Sequence, residues 1–163
     1  MELVNIGRIV NTHGIKGELR ILSDFRYKDK VFKKGVKLYV GKKKEEFIIN
    51  TYRHHKVFDM VTFDGYNNIN DVLYLKGLNV YVDIDSIDLD GEFYAEKLLG
   101  FEAYYEDKLI GTVTEVLNEP ASFVIRVNEK ILIPYVDNFI EKIEEGKIYF
   151  KNIGGLLWLS LMY

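Results

Sequence analysis

The chain has 163 residues, 48% of them apolar, and no cysteine, which excludes a disordered chain, a disulfide scaffold, a thiolate metal site and a cysteine nucleophile. Its net charge of −3 conceals a division: residues 1–84 carry 15 Lys/Arg against 10 Asp/Glu, a balance of +5, whereas residues 85–163 carry 7 against 15, a balance of −8. A basic half suits phosphate and an acidic half suits a basic protein, so two modules with different partners are expected.

Abundant Tyr, Phe, Val and Ile favour pleated sheet. Val4–Val10 and Glu18–Leu22 read as strands flanking the loop Gly14-Ile15-Lys16-Gly17. Glycine at both loop ends permits positive φ, so the turn presents Lys16 outward, with Arg8 and Arg20 on the flanking strands. Asp24–Gly35 is charged and aperiodic, an expected exposed loop with one helical turn, carrying Arg26, Lys33 and Lys34. Val36–Gly41 is a strand, Lys42-Lys43-Lys44 a turn, Glu46–His54 the next strand with Arg53 near its end, and Val57–Phe63 another.

Asn68–Gly77 has the strongest helical pattern: Asn68 can cap its start, and Ile69, Val72 and Leu73 share a face expected to close a barrel end. Leu78–Val82 completes the first half, giving a small closed barrel over 1–82. Asp83–Gly91, where acids alternate with apolar residues, reads as a linker. Glu92–Gly100 is a short helix or helical turn. Strands follow at Phe101–Tyr105, Leu109–Leu117, Ser122–Val127, Ile131–Pro134 and Lys147–Phe150, with a bend at Gly111 and a helical turn within Asp137–Ile143. The fold class is therefore all-β: two small barrels, the second over 92–163, with one or two short helices.

The candidate chemistry is phosphate binding. Arg8, Lys16, Arg20, Arg26, Lys33, Lys34, Lys42, Lys43, Lys44 and Arg53 supply contacts of the kind that position a protein on RNA without reading sequence. The same lysines in turns also serve solubility. No RRM- or KH-like signature occurs, which favours readout by shape and charge. His13, His54 and His55 read as turn or surface residues, because neighbours on a strand point to opposite faces and cannot chelate one ion. No catalytic constellation, metal site or cofactor motif is found. Met1–Asn5 lacks a signal-peptide start, and the apolar tract Ile153–Tyr163 is shorter than a span of about 20 residues, so a soluble cytoplasmic protein without membrane contact is expected, taken as a monomer. The tail Leu156-Leu157-Trp158-Leu159 can plug a groove between the domains, the preferred reading, or dock on a partner.

Gly7-Arg8-Ile9-Val10-Asn11-Thr12-His13-Gly14-Ile15-Lys16-Gly17-Glu18-Leu19-Arg20 resembles the opening of the bacterial RimM family of ribosome maturation factors. Gly91-Glu92-Phe93-Tyr94 with Leu98-Leu99-Gly100, then Ile110–Val113, Leu132–Val136 and Gly155–Leu157, resemble the landmarks of its carboxy-terminal PRC-barrel in order. Two positions depart: Phe93 stands for a tyrosine and Lys97 for an aspartate, removing a hydroxyl and reversing a charge. The resemblance implies a non-enzymatic factor that binds the small ribosomal subunit precursor and its rRNA, and aids head assembly and rRNA processing. It also implies contact with the nineteenth ribosomal protein of the small subunit through Phe93, Tyr94 and Leu98. The residues themselves leave Phe93 and Tyr94 between core packing and an interface anchor. Two other readings stay open: a PRC-barrel scaffold outside translation, and a histidine-dependent hydrolase.

Overall fold

A computed structural model describes residues 1–162, with side chains described through Leu159. The chain divides into two compact units, Met1–Glu92 and Phe93–Tyr163. Strands dominate both, as the aromatic and β-branched composition dictates.

In the first unit, β1 (Leu3–His13), β2 (Glu18–Leu22), β3 (Lys37–Val40), β4 (Glu45–His55), β5 (Phe58–Phe63) and β6 (Asn79–Asp83) close into a barrel in the order β1-β2-β5-β4-β3-β6. Closure follows from alternation. Ile6, Ile9, Leu19, Ile21, Leu38, Val40, Phe47, Ile49, Val61, Phe63, Val80 and Val82 fill the interior and are all buried, each contributing about 1.5–3 kcal/mol. Phe47 stacks on Phe63 with ring centroids 4.6 Å apart. The long strands β1 and β4 curve through bulges at Asn5/Gly7, Ile9/Asn11 and Ile49/Thr51. At Gly7 a Cβ would lie 2.5 Å from the Leu22 carbonyl oxygen, so only glycine permits that bend.

The connection between β2 and β3 is not the exposed loop expected. It holds the short helix α1 (Lys28–Val31) and is anchored by Phe25, Val31 and Phe32, all buried. The expected helix is α2 (Ile69–Val72), capped by the Asn68 side chain, which accepts from the Asn70 N–H at 2.8 Å. It tightens into a 3-10 turn over Leu73–Leu75. With three residues per turn, Val72 and Leu75 share the buried face and Leu73 is turned out to 50% exposure.

The acidic stretch after β6 folds against the first unit. Ile84 and Leu89 are buried, Lys30 Nζ lies 2.5 Å from Asp90 Oδ2, and the Tyr27 hydroxyl donates to Glu92 Oε2 at 3.3 Å. Asp85, Asp88, Asp90 and Glu92 thus belong to the first unit. Counted by unit, 15 Lys/Arg against 14 Asp/Glu give +1 for residues 1–92, and 7 against 11 give −4 for residues 93–163. The contrast between units is milder than that between sequence halves.

The second unit is a half-barrel of six strands, β7 (Glu102–Tyr105), β8 (Lys108–Asn118), β9 (Phe123–Val127), β10 (Ile131–Pro134), β11 (Ile140–Glu144) and β12 (Lys147–Phe150), in the order β10-β9-β8-β7-β12-β11. Of the stretch Asp137–Ile143, where a helical turn is expected, the first part forms a single hydrogen-bonded turn, the Phe139 N–H donating to the Val136 carbonyl at 2.9 Å, and the rest from Ile140 belongs to β11. A bulge between Ile140 and Lys142 lets Ile140 and Ile143 both meet the inward residues Phe150 and Ile148, so a three-residue spacing arises within a strand. Helix α3 (Gly154–Met162) lies against β10, with Leu156 and Leu157 half-buried and Trp158 and Leu159 exposed.

Candidate nucleic-acid interface

Because Leu19 and Ile21 point into the barrel, Glu18 and Arg20 point out from β2. On β5 the inward residues Asp59, Val61 and Phe63 leave Phe58, Met60 and Thr62 on the outer face. Arg20 pairs with Met60, and Met60 pairs with Arg53 of β4, so two arginines flank one methionine across three adjacent strands. Met60 has no exposure although it faces outward; the long side chains on either side cover it.

Both guanidinium groups are oriented by neighbours. Arg20 Nη2 donates to His13 Nδ1 at 2.7 Å, which places the imidazole proton on Nε2, and its Cζ sits 5.6 Å from the Phe58 ring centroid. Arg20 Nε is buried with no hydrogen-bond partner among the described residues. Arg53 grips Glu18 with two bonds, Nε to Oε2 at 2.9 Å and Nη2 to Oε1 at 2.7 Å. That bond holds the Glu18 carboxyl below its ordinary value, against the opposing effect of burial. The His13 and His55 rings stand 6.1 Å apart. Desolvation, followed by the charges of Arg53, Lys56, His13 and Arg20, pushes the His55 imidazole below its usual value, which marks the face as electropositive.

The hairpin tip beside this face is pinned. The Ile15 carbonyl accepts from the Ile69 N–H at 2.9 Å. Gly17 is buried at φ +87°, and a Cβ there would lie 2.5 Å from the Tyr66 carbonyl oxygen. Lys16 therefore projects from a fixed turn.

The ten expected cations do not gather at one place. Arg20 and Arg53 share the β2-β5-β4 face with Lys16 at its edge. Arg8 pairs with Asn79, whose carbonyl accepts from Gly41 at 2.9 Å, so Arg8 borders the turn of Lys42, Lys43 and Lys44. Lys42 and Lys43 are exposed, while Lys44 Nζ lies 3.4 Å from the Tyr81 ring centroid. Lys33 and Lys34 are exposed ahead of β3, and Arg26 is half-buried in the same connection. His13, Glu18, Phe58 and Met60 join the site unannounced by the sequence, since only strand register brings them together.

In the second unit, Tyr94 is 3% exposed and Leu98 is fully buried. The Tyr94 ring meets Phe123 edge-on at 6.1 Å. Phe93 is half-buried beside Phe101, and Leu99 is 61% exposed. Among the described residues no cluster of three or more His, Asp or Glu could hold a metal ion, and no helix is long and apolar enough to cross a membrane.

A closed barrel bearing oriented arginines, followed by a half-barrel with a net negative charge, has the build of a modular binding protein. The sequence pattern of the RimM N-terminal domain matches residues 4–87, and that of the PRC-barrel domain matches residues 90–157. The chain is 39% identical to the ribosome maturation factor RimM of Streptococcus mutans, over 96% of this chain and 98% of the relative. It is also 39% identical to that of an Exiguobacterium strain, over 88% and 89%, and 37% identical to that of Streptococcus sanguinis, over 91% and 93%. This chain belongs to the RimM family of ribosome maturation factors.

Proposed function

We propose that, within this family role, the protein binds the immature small (30S) ribosomal subunit in the cytoplasm, assists assembly of its head and aids processing of its rRNA, without catalysing a reaction. The observation that carries the reading is the 39% identity that runs through both units to proteins named for ribosome maturation. The mechanism is differential binding: contacts that form better with the mature arrangement of the head shift the unfinished subunit toward it. The first unit contacts RNA through Lys16, Arg20, Arg53 and the flanking turns. The second, at −4, receives the basic nineteenth ribosomal protein, with Phe93 at the surface and Tyr94 and Leu98 packed behind it.

Sedimentation of cell lysate tests this. The protein should travel with free small subunits and leave mature ribosomes; absence from the small-subunit fractions would overturn the reading in favour of a PRC-barrel scaffold outside translation.

A further inference from the structure

We propose that the outer face of β2, β5 and β4 is a binding site for the phosphodiester backbone of RNA, with Arg20 and Arg53 presenting their Nη1 edges on either side of Met60. This rests on the reading of the protein as a factor that contacts RNA. Three features carry it.

First, register fixes the spacing. Arg20, Met60 and Arg53 lie directly opposite one another on adjacent strands, which sets the two arginine backbones about 10 Å apart. Second, each guanidinium is already ordered, Arg20 by His13 and the Phe58 ring, Arg53 by both carboxylate oxygens of Glu18. In both, Nη1 has no partner among the described residues, so an anion meets donors whose ordering cost was met when the barrel folded. Third, Glu18 is the acid within the cluster and both its oxygens face Arg53, while Lys16 and Lys56 are exposed at the margins. Phe58 is half-buried and Met60 buried, so the face lacks the exposed aromatic anchor of a protein interface, whereas a phosphate needs only charge and directed N–H groups.

The test is fluorescence anisotropy of the full chain with an RNA duplex of about 16 base pairs across a salt series. Arg20→Gln and Arg53→Gln should each lower affinity about tenfold and reduce the slope of log K against log salt by about one. Lys108→Gln/Lys130→Gln on the exposed surface of the second unit, which removes the same charge as the two arginine variants combined, should cost less than threefold. Equal losses in that control, unchanged affinity in the arginine variants, or competition by polyglutamate as strong as that by RNA would each overturn the site. If the arginine variants fail to fold, the wild-type protein decides: the Arg20 and Arg53 side-chain N–H resonances should shift on adding the duplex, and their constancy would overturn the proposal. Sedimentation of wild-type protein with small subunits separates the two readings, because a wild type that sediments normally alongside unaffected arginine variants refutes this site and leaves the ribosomal role intact.

Discussion

Lys28 Nζ stands 2.9 Å from Asp59 Oδ2, a carboxylate with no solvent exposure at the end of β5. The approach is an ion pair without hydrogen-bond alignment, and the other oxygen, Oδ1, accepts from the Tyr52 hydroxyl at 2.7 Å. Asp59 is buried while the Lys28 side chain is 34% exposed, so Lys28→Met leaves the carboxylate with Tyr52 and should destabilise the protein by about 1–3 kcal/mol. Adding Asp59→Leu should recover most of that loss. Urea unfolding of the single and double variants measures both, and equal instability in the double variant would contradict this account.

Tyr52 carries a pH consequence. Burial first, and then its bond to Asp59, push its phenol up to about 12. In the unfolded chain the same phenol ionises near 10, so between about pH 10 and 12 the unfolded state binds fewer protons. The stabilisation is complete below pH 10 and declines as pH rises through that window. Tyr74, raised to about 12 by burial and Glu45, adds to the same decline. Spectrophotometric titration should show late-ionising tyrosine, and Tyr52→Phe should reduce the alkaline loss of stability.

Gly111 sits at φ +153° inside β8, where a Cβ would overlap the Asn128 side chain. Asn128 is held there by the Thr112 N–H donating to its Oδ1 at 3.0 Å and its own Nδ2 donating to the Ile110 carbonyl at 3.1 Å. Gly111→Ala should cost about 1–3 kcal/mol from overpacking and backbone strain. Asn128→Gly alone removes two hydrogen bonds; combined with Gly111→Ala it should cost less than the sum of the two, as thermal unfolding would show.

Tyr94→Ala should act first on stability. The ring is buried against Phe123, and truncating a core aromatic costs about 3–5 kcal/mol. Phe93, half-buried, is the position where substitution tests partner binding with the fold kept. A Tyr94→Ala protein with unchanged unfolding midpoint would refute the packing assignment.

The all-β fold was legible because alternation and turn chemistry agree strand by strand: Leu19/Ile21 and Val80/Val82 mark an inward face unaided. The errors have local causes. Asp24–Gly35 is charged and aperiodic and so reads as a loop, yet Phe25, Val31 and Phe32 within it are buried. Leu73 is turned outward because α2 tightens to three residues per turn. The long-range constellation was least accessible. Arg20 and Arg53 stand out as cations, but nothing in sequence ties them to Met60, or His13 to His55 across forty-two positions. Those links exist only once β5 inserts between β2 and β4.

The fixed hairpin tip has a final consequence. A loop stitched down through Ile15 and Gly17 cannot bend to suit whatever it touches. In the role proposed above it would act as a gauge, rewarding surfaces already shaped to receive Lys16 and rejecting near misses, so that discrimination among half-finished partners would be written into the stiffness of a four-residue turn.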